Sequence, residues 1–134
     1  MLAIWKAQGI DTLLKKAYNK GIILAGGSAG SLCWFTGGYT DSRPRELTIM
    51  KCLSFLDYSH SPHYNELARI SLYQKAILEG KLKAGYACDG FAGLLFINGK
   101  MVKSVSLNSN NNNYYVSIQN GKLVEEKLPV EIIW

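Results

Sequence analysis

Histidine is scarce in this chain: His60 and His63 are the only two in 134 residues. Any chemistry that needs an imidazole must therefore be drawn from the stretch "DYSHSPHYN". Cysteine is scarce as well, and the odd count of Cys33, Cys52 and Cys88, with no paired spacing, fits reduced thiols better than a disulfide framework. A metal site built from His60, His63 and Cys52 is set aside, because only two residues separate the histidines and no further ligand cluster lies nearby. Neither a metal nor another cofactor is expected. No apolar run approaches the roughly 20 residues needed to cross a bilayer, and the first residues lack the order of charged, apolar and small residues of a secretory signal. A chain without membrane association is expected, with the cytoplasm as the default location. The net charge of +5 does not point to nucleic acid, since the lysines are scattered and no basic block interleaved with aromatics appears. What remains is a chain with 48% apolar residues, enough for the core of one domain spanning residues 1–134.

What is abundant is glycine around one serine. In "GIILAGGSAGSLCW" (21–34) four apolar residues lead into Gly26-Gly27-Ser28-Ala29-Gly30, and a run fit for a helix follows. This is the Gly-x-Ser-x-Gly pattern of a nucleophile elbow, in which a serine stands on a strained turn between strand and helix and small flanking residues avoid collision with the neighbouring backbone. The strain pushes the hydroxyl into the open. It also leaves the amide of Ala29 at the start of the helix, free to donate to a developing oxyanion.

Around this turn the chain reads as alternating elements. Residues 10–20 place Ile10, Leu13, Leu14, Ala17 and Tyr18 on one helical face, with Gly21 as a stop. Asn65 is expected to cap a second helix, "ELARISLYQKAILEGK", in which Leu67, Ile70, Ile77 and Leu78 share a face. Two Asn-Gly pairs, 98–99 and 120–121, sit between apolar runs and signal β-hairpins, and "NSNNNNYY" (108–115) reads as a polar loop between strands. The expected fold is α/β, a parallel or mixed sheet flanked by helices, with a strand-to-helix elbow and C-terminal antiparallel hairpins.

A serine hydroxyl needs a base within hydrogen-bond reach and an acid to orient that base. His60 and His63 both fall in a segment read as the loop after the third element, where a strand end delivers side chains to the edge that carries the elbow. His63 is preferred because Pro62 stiffens the chain before it. Two acids are candidates. Asp89 in "YACDGFAG" lies at the end of an expected strand, and Asp41 in "GGYTDSRP" lies in a glycine-rich loop, where it also serves as an ordinary turn residue.

Taken together, "GGSAGS", then "SPHY" 35 positions on, then a strand ending in an acid-glycine pair, resembles the aspartyl dipeptidase (peptidase E) family of serine peptidases and its cyanophycinase-like relatives. The resemblance implies that Ser28 is the nucleophile, Ala29 an oxyanion donor and His63 the base. It favours Asp89 as the third member, where many members carry glutamate, over Asp41. It also implies a small peptide substrate with an N-terminal acidic residue, for whose carboxylate Arg69 and Arg43 are the candidate cations. The family's domain begins with further strands and a Gly-Gly-Asn loop that supplies a second oxyanion amide, and "MLAIWKAQG" resembles the helix just after that loop.

Two functional expectations follow. One is a serine peptidase using Ser28, His63 and Asp89. The other is a catalytically impaired homologue that associates with itself, as a homodimer or larger, through an uncovered apolar edge. A lipase-like α/β-hydrolase shares the elbow, and Ser28-Asp41-His63 has its residue order, but its chain is far longer.

Overall fold

A computed structural model describes residues 1–41 and 46–134. Its helices are α1 (Leu2–Ala7), α2 (Ile10–Asn19), α3 (Ala29–Leu32) and α4 (Leu67–Leu78). Its strands are β1 (Gly37–Thr40), β2 (Thr48–Lys51), β3 (Ser59–Pro62), β4 (Gly85–Cys88), β5 (Ala92–Ile97), β6 (Lys100–Ser106), β7 (Asn113–Gln119), β8 (Lys122–Lys127) and β9 (Glu131–Ile132). Six of them form a mixed sheet in the order β2-β1-β3-β4-β7-β8, parallel across β1-β3-β4 and antiparallel at both sides. A second sheet, β5-β6-β9, is made by the first hairpin and the last strand. The α/β reading with a mixed sheet and late hairpins is the architecture observed.

The large sheet is buried on both faces because its strands alternate their side chains. Ala87 and Val116 face one way and pack with Tyr73, Ala76 and Ile77 of α4. Tyr86 and Tyr115 face the other way and meet Phe96 and Met101 of the small sheet. Both hairpins turn at the expected places, with Asn98, Gly99, Asn120 and Gly121 all at positive φ, as a tight primed turn requires.

Three local expectations differ from the structure. The buried face of α4 is Arg69, Tyr73, Ala76 and Ile77 rather than the face of Leu67 and Leu78, which stand 81% and 57% exposed. Arg69 and Tyr73 go inside because each polar tip finds a partner there: Arg69 two carboxylates, and Tyr73 the hydroxyl of Ser59 at 2.7 Å. Asn65 does not cap that helix, since its Oδ1 accepts instead from the N–H of Gly90 at 3.1 Å, across the gap between two strand ends. The third concerns α2, whose Leu13 is 62% exposed. This helix and α1 bury no residue and are attached through a run of aromatic contacts, Trp5 on Trp34, Trp34 on Phe55 and Tyr18 on Phe55.

Candidate active site

The expected strand before the elbow does not form among the described residues: residues 22–26 are irregular backbone, and Ile22 and Ile23 are 56% and 87% exposed. No described strand lies alongside it, and the N–H of Ile22 donates back to the carbonyl of Ala17 at 3.1 Å. The turn itself forms as the pattern predicts. Ser28 has φ 53° and ψ −120°, a strained conformation for a residue with a side chain, and α3 starts directly after it. Gly26 is required there, because a Cβ on it would collide with the backbone carbonyl of Gly30. Gly30 itself has open space around its Cα, so only the first of the two outer glycines is demanded by sterics. The serine is exposed, and the amide of Ala29 donates no hydrogen bond among the described residues.

His63 follows directly on β3. It too is left-handed, at φ 57°, and this bend carries its ring to the serine: Ser28 Oγ and His63 Nε2 are 2.8 Å apart. His60 lies inside β3, not in a loop, and is 3% exposed. Its Nδ1–H donates to the carbonyl of Tyr86 at 2.9 Å, its ring stacks on Phe35 at 4.4 Å, and burial pushes its pKa down to about 4. At neutral pH this ring is uncharged. Ser31 stands one helical turn beyond Ser28 and reaches His60. Its Oγ lies 3.0 Å from His60 Nε2 and 2.7 Å from the carbonyl oxygen of Ser28.

Asp89 follows directly on β4, whose parallel register pairs Pro62 with Cys88, so Asp89 and His63 leave the sheet at the same end. Its Oδ2 accepts from the N–H of Asn112 at 2.9 Å. Among the described residues no hydrogen bond joins Asp89 to His63, and the Nδ1 of His63 has no partner. Asp41 is turned elsewhere: it forms an ion pair with Arg69 at 2.9 Å, and Glu66 holds the same guanidinium at 2.7 Å. Arg69 is thus buried between two carboxylates rather than open to a ligand. Arg43 lies outside the described residues.

The thiols do not compete with the serine. Burial pushes Cys33 and Cys52 up to about 11 and Cys88 up to about 12, far from the thiolate that nucleophilic sulfur needs. The exposed Ser28, on its strained turn, thus has an imidazole within hydrogen-bond reach of its hydroxyl.

The model of peptidase family S51 matches residues 1–105. The chain belongs to peptidase family S51. It is also 40% identical, over 99% of its length, to YgaJ, an uncharacterized peptidase of Bacillus subtilis (strain 168). The chain spans 58% of the length of that curated relative. The S51 match runs from α1 through most of β6 and so contains Ser28, His60, His63 and Asp89. Sequence reading missed Ser31 and Asn112 as neighbours of these residues. The spacing of three from Ser28 to Ser31 within one helical turn is the signal that would have found the first.

Among the described residues no helix is long and apolar enough to cross a membrane, and no group of three or more metal-binding side chains is gathered.

Proposed function

We propose that this S51 chain carries a serine-type peptidase centre for small peptides with an acidic N-terminal residue. The observation that carries the reading is the 2.8 Å contact between the exposed, strained Ser28 and His63. Ser28 Oγ attacks the scissile carbonyl carbon while His63 Nε2 accepts its proton, and the same imidazole later returns that proton to the leaving amine. The Ala29 N–H, free of other partners among the described residues, donates to the oxyanion. Asp89 is the acid of choice: it follows β4 at the sheet end where His63 follows β3, and its Oδ1 is unbonded among the described residues, whereas Asp41 is held by Arg69. An acidic side chain of the substrate would take the place of Asp41 on Arg69, since Asp41 is the more exposed of the two carboxylates there.

Fluorophosphonate labelling and cleavage of an aspartyl anilide test the reading together. We expect labelling that is abolished in Ser28→Ala and slowed at least about 1,000-fold in His63→Gln. Each oxyanion donor contributes about 3 kcal/mol of transition-state stabilisation, so anilide turnover reads how completely Ala29 and its surroundings hold the oxyanion. A wild-type chain that resists labelling would overturn the proposal.

One observation favours a second reading, a self-associating protein of impaired activity. The segment before the elbow, outside any described sheet, offers the exposed apolar side chains of Ile22 and Ile23 to a second copy. Sedimentation equilibrium at high micromolar concentration decides it: a dimer supports this reading, and a species of 14.9 kDa alone removes it.

A further inference from the structure

The buried histidine is not used by the chemistry just described, yet it is tied to the nucleophile through a single side chain. The carbonyl of Tyr86 only accepts, so the Nδ1 of His60 carries a proton toward it, and the uncharged ring then presents Nε2 as an acceptor. The hydroxyl of Ser31 has one proton and lies against two acceptors, Nε2 of His60 at 3.0 Å and the carbonyl oxygen of Ser28 at 2.7 Å. That carbonyl already receives the N–H groups of Ser31 and Leu32, each at 3.0 Å. Shared between the two acceptors in a three-centre bond, the Ser31 proton ties the peptide unit whose positive-φ twist aims Ser28 at His63 to the His60 ring. His60 cannot drift, being stacked on Phe35 and enclosed in β3.

We infer that Ser31, anchored by His60, is a positioning residue: the pair braces the strained backbone of Ser28 and so fixes the direction of its hydroxyl. The inference rests on the reading of Ser28 and His63 as nucleophile and base, but its structural half is testable without any activity. A strained φ persists only where its surroundings over-determine it, and this brace is the contact at Ser28 that the turn's own backbone bonds do not supply.

Two measurements on Ser31→Ala, Ser31→Thr and His60→Asn test it. The first is the backbone chemical shifts of Ser28, which report positive φ. The second is the rate of fluorophosphonate labelling, in which the Oγ–P bond forms, the P–F bond breaks and His63 takes the proton. Removing the Ser31 hydroxyl is expected to move the Ser28 shifts out of the positive-φ range and to slow labelling roughly 10- to 100-fold. The reagent concentration for half-maximal rate is expected to stay unchanged. Ser31→Thr keeps the hydroxyl and restores both. His60→Asn, which keeps a donor toward Tyr86 but removes the acceptor, moves both readouts in the direction of Ser31→Ala, and the double variant is no slower than Ser31→Ala alone. Unchanged Ser28 shifts in Ser31→Ala would overturn the brace. So would a threonine variant as slow as the alanine one. A wild-type chain that is never labelled instead refutes the nucleophile reading, and the shifts still decide the brace.

Discussion

The two hairpin turns and the strand ends around Ser28 use the same region of backbone space for opposite reasons. At 98–99 and 120–121 the left-handed residues are asparagine and glycine, the types that adopt it most readily, so the turns close at little cost. Around the candidate site the left-handed residues are Ser28, His63 and Phe91, at φ 53°, 57° and 62°, types that pay for that conformation. Phe91 is in addition 73% exposed, two residues beyond Asp89. In the hairpins local sequence chooses the conformation. At the site the surrounding structure imposes it, and what it obtains is a serine and a histidine aimed at each other.

The comparison breaks first at Gly26. Alanine there drives a Cβ into the Gly30 carbonyl, and the elbow can survive only by shifting its backbone. We expect Gly26→Ala to lower stability by about 3 kcal/mol or more and to end labelling, while Gly30→Ala, with open space, stays near wild type. Urea unfolding of the two variants checks this, and equal losses would remove the steric account of the glycine pattern.

A smaller effect comes from pH. His60 is held uncharged when folded, with its pKa lowered to about 4, whereas the unfolded chain binds a proton near pH 6.5. Stability from this group is thus fully present above pH 6.5 and is lost as pH falls toward 4. Between pH 7 and pH 5 we expect a loss of about 2 kcal/mol, read from urea midpoints. His60→Asn should flatten that slope, and an unchanged slope would assign the acid sensitivity to other groups.

The smallest effects sharpen the contrast directly. Gly99→Ala is expected to cost about 1 kcal/mol, because alanine resists the φ of 76° that the turn requires. Phe91→Gly is expected to gain about 0.5 kcal/mol, since it releases a strained φ and gives up little buried surface. Thermal unfolding distinguishes the signs. A Phe91→Gly variant that is less stable would show that the site's strained residues are structural after all.

The elements were legible wherever the signal was local. Helical periodicity located α2 and α4, Asn-Gly located both hairpins, and a glycine-serine pattern located the elbow. Errors arose where partners lay far along the chain. Local sequence makes Asn65 a helix cap, yet it bonds Gly90, 25 residues away. Apolar periodicity places Leu67, Ile70, Ile77 and Leu78 on the core face; Ile77 and Ile70 do pack there, but Arg69 and Tyr73, their polar tips satisfied, are buried where Leu67 and Leu78 are not.

By itself, then, the sequence determined the turn at Ser28, the succession of elements and the two histidines available to serve it, since these depend on steric preference and residue type within a few positions. Which histidine meets the serine was decided only by tertiary structure. His60 and His63 are three residues apart and chemically identical, but the parallel pairing of β3 with β4 encloses the first against Phe35 and Tyr86. The second stands just past the strand end, where a left-handed bend turns its ring to Ser28. The same long-range packing gave Asp41 to Arg69 and Asp89 to Asn112. Such pairings depend on contacts between residues more than 20 positions apart, which no local preference encodes.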